Sequence, residues 1–296
     1  MSPESPIVTR FAPSPTGRLH LGHAYSALFA ADACGPSGCF LLRIENIDID
    51  RCRLEFEQGI FEDLSWLGLQ WETPVWRQSE HMADYAAALH RLESEELLFP
   101  CFCTRKDLQR QAMESASAPH GPDGALYPGT CRGLSAEVVA DRKAAGDAFA
   151  MRLDMTAAAN RVEPLTFYDL SRGEITVDTT SCGDVVLARK DVATCYHLAV
   201  TLDDAAQDVT LVTRGEDLLH ATHVHRVLQA LLDLPVPEYS HHDLLRSPSG
   251  KRFAKRDKAE TIQALRERGR SPDDVRAMAS IEGKTLWNTK PSPPVF

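Results

Sequence analysis

Residues Arg10 to His23 restrict the fold more than any other stretch, because a short apolar strand breaks into a turn punctuated by Pro13, Pro15 and Gly17 and then into a helix. Ile7, Val8 and Phe11 read as a buried strand, and Ala24 to Ala33, with Tyr25, Leu28 and Phe29, reads as a helix that starts at His23. Such a unit sets a helix N-terminus at the end of a strand, where N–H groups and the helix dipole suit an anion such as a triphosphate. His20 and His23 flank Gly22, so both imidazoles can lie on one side of the helix start while Gly22 lets a ligand approach the backbone. A bare His-x-x-His pair is usually a surface or packing feature, and its weight here comes from the Pro-Ser-Pro-Thr-Gly lead.

Beyond this unit the periodicity predicts a second strand, Cys39 to Ile44, and a helix carrying Ile60, Phe61, Leu64 and Leu67. Ser79 reads as the N-cap of a further helix through Tyr85, Leu89 and Leu92. Strand–helix alternation implies a parallel sheet whose ligand crevice lies at the carboxyl ends of its strands. From Leu98 to Lys190 the pattern changes to short strands, at Phe149 to Leu153, Thr166 to Tyr168, Glu174 to Val177 and Val185 to Ala188, which reads as an insertion. Alternation resumes with Tyr196 to Leu202, the strand Val209 to Val212 and a helix through Leu218, Val224, Leu228 and Leu231. The expected division is therefore 1–97 and 191–237 for two halves of one sheet domain, 98–190 for the insertion and 238–296 for a C-terminal segment with a basic loop, a short charged helix and a Pro-rich tail.

Hydrophobic residues make up 43% of the 296 positions and charged residues 25%, which argues for a packed chain and against disorder. No apolar run reaches membrane-spanning length, and the start Met-Ser-Pro-Glu-Ser-Pro lacks a secretory pattern, so no membrane association and a cytoplasmic location are expected. A net charge of −10 argues against indiscriminate polyanion binding, yet Arg246, Lys251, Arg252, Lys255, Arg256 and Lys258 cluster locally. Eight cysteines need form no bridges in a reducing compartment. Cys101, Cys103 and Cys131 stand apart because they bracket a polar, Gly/Pro-rich segment with little apolar content to fold around.

The run Arg10-Phe11-Ala12-Pro13-Ser14-Pro15-Thr16-Gly17 followed by His20-Leu21-Gly22-His23 closely resembles the N-terminal signature of class I glutamyl-type aminoacyl-tRNA synthetases. Arg43-Ile44-Glu45-Asn46, Tyr196-His197-Leu198-Ala199, Val212-Thr213-Arg214-Gly215 and Lys251-Arg252-Phe253-Ala254-Lys255-Arg256 are similar to further segments of that family, in its order, from residue 7 to about 257. The resemblance implies an α/β class I synthetase fold: a Rossmann-type doubly wound parallel sheet, an inserted zinc-containing α+β subdomain and a small C-terminal helical segment. It assigns His20, Gly22, His23 and Lys255 to ATP, with His20, His23 and Lys255 catalytic, Lys255 standing in a loop like Lys-Met-Ser-Lys-Ser. The family usually has Ser where Ala254 stands and Asp where Asn46 stands.

By the same resemblance Arg10, Phe11, Ala12, Pro13, Ser14, Glu45, Tyr196 and Arg214 form a glutamate pocket. Glu45 would hold the substrate ammonium, and the forks of Arg10 and Arg214 would grip the side-chain carboxylate. Their residue-level alternatives are a strand-terminal acid for Glu45, plain core for Tyr196, and for Arg214 an internal ion pair with Asp203, Asp204 or Glu216. Cys101, Cys103, Tyr127 and Cys131 match the zinc arrangement of glutamyl-Q tRNA(Asp) synthetases, three thiolates and a tyrosine oxygen around one structural ion per chain, while His120 is a chemically more ordinary fourth donor.

The activity implied is activation of L-glutamate by ATP, with magnesium, and transfer of glutamate to the queuosine base of tRNA(Asp) by a monomer. Full glutamyl-tRNA synthetases continue with a large helical anticodon-binding region, whereas this sequence ends about forty residues after its basic loop. A short glutamyl-tRNA synthetase charging a tRNA 3′ end is the runner-up. A non-catalytic nucleotide- or tRNA-binding paralogue is the reading from another class, against which His20, His23 and Lys255 argue.

Overall fold

The computed structural model describes residues 6–104, 106–108, 120–121, 124–162, 164–189, 193–245 and 260–279. Val8–Phe11 pairs in parallel with Cys39–Ile44, which pairs in turn with Trp76–Arg77. A second sheet runs Leu211–Gly215, Glu238–His242, Thr166–Asp169, Gly173–Thr176, parallel until the last pair. The two sheets abut at Val8, whose N–H donates to Thr210 Oγ1 at 2.8 Å while its carbonyl accepts from Thr210 N at 3.1 Å. Leu98–Cys101, Ala150–Leu153 and Val186–Arg189 form a separate antiparallel sheet.

The expected all-parallel sheet is thus a mixed one, with an antiparallel hairpin at one edge. The strand Thr166–Asp169, read from sequence as part of an insertion, lies beside Glu238–His242, read as the start of a C-terminal segment. Glu-Tyr-Ser-His-His looks like a loop by composition, yet four of its five residues are buried. Two of them are held by polar partners: Tyr239 Oη accepts from Gln229 at 3.0 Å, and His241 bonds Asp169 at 2.7 Å. Polar side chains go inside where they are satisfied.

The helix Leu21–Cys34 crosses behind the first strand and buries Ala24, Ala27, Ala30 and Ala33 at helical spacing. Small side chains let it come close enough for Thr9 Oγ1 to donate to the Ala30 carbonyl at 2.7 Å. The return turn requires Gly38, since a Cβ there would stand 2.0 Å from the Cys34 carbonyl oxygen. Ile262, Leu265, Val275 and Ala279 of the short helices Ile262–Glu267 and Pro272–Met278 complete the core formed by this helix and Leu54–Trp66. A second core joins Leu92, Leu153, Leu198, Val227 and Leu228 from helices and the antiparallel sheet.

Ser79 is not the cap of the next helix. It sits in the 3₁₀ turn Gln78–Glu80, and the helix Met82–Ser94 follows without a side-chain cap. Asn46 explains the displacement: its Oδ1 accepts from Ser79 N at 2.8 Å and its Nδ2 donates to Ser79 Oγ at 2.9 Å.

Candidate active site

The carboxyl ends of Val8–Phe11, Cys39–Ile44 and Leu211–Gly215 open onto one cleft of about 560 Å³. Arg10, Phe11, Ala12, Pro13, Ser14, His20, Gly22, His23, Glu45, Tyr196 and Arg214 all line it. Lys255 lies outside the described residues. Described residues on either side of it meet the same place: Leu245 lines the cleft, and Thr261 forms a β-bridge with His20 while Ile262 N donates to the Leu19 carbonyl at 2.9 Å.

The helix begins at Leu21, two residues before its expected start at His23, because His20 is its N-cap. His20 Nδ1 accepts from Gly22 N at 3.1 Å, and His23 Nδ1 accepts from His20 N at 3.1 Å. Sequence rules look for Ser, Thr, Asn or Asp at a cap and pass over an imidazole. A ring nitrogen that accepts an N–H carries no proton, so each neutral ring holds its proton on Nε2 and is left as a donor there. The rings lie 3.8 Å apart, centre to centre. Since the N–H of Gly22 is taken by His20 and those of His23 and Ala24 by the His20 carbonyl, imidazole donors stand in for part of the helix-end amides expected to face an anion.

Arg10 is buried and already neutralised: Nε and Nη2 donate to Asp204 at 2.8 and 3.3 Å, and Nη1 donates to the Thr213 carbonyl at 3.1 Å. Arg43, fully buried, shares Asp204 at 2.7 Å. Between these two cations the Asp204 carboxyl is held below the usual carboxylate range despite its burial. Glu45, at the cleft, goes the other way. Burial pushes its carboxyl up to about 7, the partly offsetting pull of Arg43 and Arg10 being opposed by Asp203 and Asp204.

Arg214, only 6% exposed, has no carboxylate within ion-pair distance among the described residues. Its donors go to His241 Nε2 at 3.2 Å, Thr222 Oγ1 at 2.6 Å, His225 Nδ1 at 3.1 Å and Tyr196 Oη at 3.4 Å. Asp204, weighed above as a partner for Arg214, belongs to Arg10 and Arg43 instead. Asp203 takes Gln78, Tyr85 and Trp76. A buried guanidinium facing a cleft with no internal anion is a site for an external one.

The family model "tRNA synthetases class I (E and Q), catalytic domain" matches residues 6–286. The chain belongs to the class I tRNA synthetases of the E and Q type. It is 47% identical to the glutamyl-Q tRNA(Asp) synthetase of Rhodobacter capsulatus over 93% of this chain and all of that protein. To the enzyme of the same name from Nocardia farcinica it is 44% identical, over 91% of this chain and 82% of that protein. A glutamate tRNA ligase from Elizabethkingia meningosepticum, solved in complex with its amino acid, superposes with a TM-score of 0.76 at 26% identity, covering 94% of this chain and 61% of that one.

Away from the cleft, this class I synthetase chain gathers a thiol cluster. The sulfurs of Cys101, Cys103 and Cys131 lie within 4.8 Å of one another, and Cys101 Sγ is 3.4 Å from Tyr127 Oη. All eight cysteines are unbridged. Burial, with Cys131 and Cys101 adding to it, pushes the Cys103 thiol up to about 12. At Cys101 burial opposes ionisation, but Tyr127 and Arg152 outweigh it and the thiol lies below its ordinary value. Three thiol sulfurs this close, with a hydroxyl beside them, fit a tetrahedral ion with metal–sulfur bonds of about 2.3 Å. Tyr127 Oη stands at the cluster and accepts from Cys131 N at 2.7 Å; the side chain of His120 lies outside the described residues.

Sequence reasoning missed Asp169, Thr222, His225 and His241, and it gave Arg43 and Asp204 no part in one shared ion pair. One signal was available. Thr222, His225 and Gln229 recur at helical spacing on the buried face of Leu219–Leu231, among Val224, Val227 and Leu228, and a polar stripe inside an apolar face needs a partner.

Proposed function

We propose that this chain activates L-glutamate with ATP in the cleft and passes the glutamyl group to the queuosine base of tRNA(Asp). The observation that carries this reading is Arg214, a buried cation with no carboxylate partner among the described residues, in the same cleft as Glu45 and the two imidazoles. Arg214 and the Tyr196 hydroxyl take the side-chain carboxylate, and Glu45 takes the ammonium. Ser14 and the Phe11–Pro13 segment line the same pocket, and Arg10 shapes it from beneath while paired to Asp204. The α-carboxylate of glutamate then attacks the α-phosphate of ATP, forming the mixed anhydride and releasing pyrophosphate. His20 and His23 donate from Nε2 to phosphate oxygens, and Lys255, with the magnesium that accompanies ATP, spreads the charge that develops. No enzyme-bound covalent intermediate is required, and most of the acceleration comes from positioning and electrostatics.

The acceptor is argued from the relatives, since those named glutamyl-Q tRNA(Asp) synthetase match this chain over most of its length. Cys101, Cys103, Cys131 and Tyr127 would hold one zinc ion, which organises residues around the cluster and takes no part in the chemistry, because four protein ligands leave no open position. Segments 1–97 and 191–237 form the catalytic unit together with Glu238–His242, Thr166–Asp169 and Gly173–Thr176, which share its second sheet; the rest of 98–190 is the insertion, and the rest of 238–296 is a segment that contacts RNA and carries Lys255.

Glutamate-dependent pyrophosphate exchange tests activation, and glutamate transfer to queuosine-containing tRNA(Asp), to the same tRNA without queuosine and to tRNA(Glu) tests the acceptor. Label on the first alone is expected. Label at the 3′ end of tRNA(Glu) would replace this reading with that of a short glutamyl-tRNA synthetase, and absence of exchange would reject activation.

A further inference from the structure

Four of the five N–H groups of Arg214 are donated to acceptors that carry no charge, and the hydrogen bonds themselves fix this. His241 Nδ1 lies 2.7 Å from Asp169 Oδ2 and donates to it, which leaves Nε2 with a lone pair for Arg214 Nε. His225 Nδ1 accepts from Arg214 Nη1, so its proton sits on Nε2 and is given to His197 Nδ1 at 3.1 Å. Burial, with Arg214 itself as neighbour, holds both rings below the ordinary histidine range, and so uncharged. Thr222 Oγ1 and Tyr196 Oη are hydroxyls, and the ring beneath the guanidinium, 5.5 Å from its centre, is Tyr239. The carboxylate behind this shell, Asp169, is shared with Ser171 and Arg172. Arg10, 4% exposed in the same cleft, shows the other solution, a buried arginine held by an acid.

We infer that His225, Thr222 and His241 are positioning residues that set amino-acid specificity: by holding Arg214 with neutral acceptors only, they keep its charge for the ligand and make the pocket prefer a side-chain carboxylate over an amide. Neutral acceptors restrain the fork at no cost in field, whereas an acidic neighbour would satisfy both its hydrogen bonds and its charge. The uncharged amide of glutamine leaves the guanidinium unneutralised in a dry site, and a site built for a charged partner discriminates strongly on that ground. Tyr196 Oη accepts from Arg214 and so retains its own hydrogen for the same ligand oxygen.

The inference rests on the reading that the cleft binds glutamate, and pairs of variants that differ in charge alone separate the two claims. His225→Gln and His225→Glu are isosteric, as are Thr222→Asn and Thr222→Asp at the other side of the fork. Calorimetric Kd values for glutamate and for glutamine are measured on each full-length protein, with circular dichroism to confirm folding. The two amide variants are expected to keep the wild-type ratio of glutamine Kd to glutamate Kd. Each acidic variant is expected to lower that ratio by on the order of 10–100-fold, through weaker glutamate binding, because the introduced carboxylate neutralises Arg214 from within. An unchanged ratio in a folded acidic variant, or a collapsed ratio in the amide variants, overturns the inference. Wild-type protein that binds neither amino acid overturns the glutamate reading instead.

Discussion

Glu45 and Arg214 carry opposite charges at one cleft, and the fold treats them differently. Arg214 is charged whatever its surroundings. Glu45 is not, since burial raises its carboxyl to about 7, so that near neutral pH a large share of the free protein carries it protonated. A substrate ammonium favours the ionised form. Glutamate affinity should therefore rise as pH increases through about 7 and level off above it, while the free protein loses stability between the ordinary carboxylate range and that value, because the folded state binds the proton more tightly than the unfolded chain. Calorimetric Kd values between about pH 5.5 and 8.5 give the test. Glu45→Gln should abolish the slope and weaken binding roughly tenfold, in keeping with loss of one charge-assisted contact; a slope that survives in this variant would mean that another group titrates. That Glu45 stood at a strand end was legible in the sequence. Its raised value was not, since it comes from burial in the assembled cleft, with Asp203 and Asp204, more than 150 positions away, adding to it.

Elements were legible where period and composition agreed. Strands predicted at Phe149 to Leu153, Thr166 to Tyr168, Glu174 to Val177 and Val185 to Ala188 appear within one or two residues of their expected bounds. The helix after the His-x-x-His turn was legible too, but not its start, because the cap is an imidazole. His20 therefore has two separable roles, as acceptor through Nδ1 and as donor through Nε2. His20→Ala removes both and should cost about 1 kcal/mol of stability, the ordinary value of a lost N-cap. His20→Asn supplies a good cap and should restore that stability in urea unfolding, yet leave pyrophosphate exchange depressed about a hundredfold or more, as for loss of one donor to a developing anion. Exchange near the wild-type rate in His20→Asn would reduce His20 to a cap alone. The strand Glu238–His242 was illegible for a related reason: Tyr239 and His241 are held by Gln229 and Asp169, partners no local window contains.

At the scale of the whole molecule, the cleft exists because two sheets meet edge to edge through parallel strands, and what crosses their junction beneath the cleft is charge. Arg10 comes from one sheet's first strand, Arg43 from the next, Asp203 and Asp204 from the helix Tyr196–Ala206, and the Thr213 carbonyl from the other sheet. The sequence exposed each strand but not this lattice, and it offered Asp204 as a partner for Arg214 because proximity in a strand–helix unit cannot tell which buried arginine reaches it. Asp204 pairs with two guanidinium groups at once, and Asp203 is a poor substitute, 3.9 Å from Arg43. Asp204→Asn keeps the volume and one acceptor oxygen but strands two buried cations. Since removing one partner of a buried ion pair typically costs 3–5 kcal/mol, a loss of about that size is expected in urea unfolding with little change in m-value. The pH dependence must change with it. Asp204 is held below the ordinary carboxylate range in the folded protein, so the stability it contributes is present above that range and is lost as pH falls through its folded value. Wild-type protein should thus weaken on acidification more steeply than Asp204→Asn. A variant that loses less than about 1 kcal/mol and keeps the wild-type acid profile would show that the junction does not depend on this carboxylate.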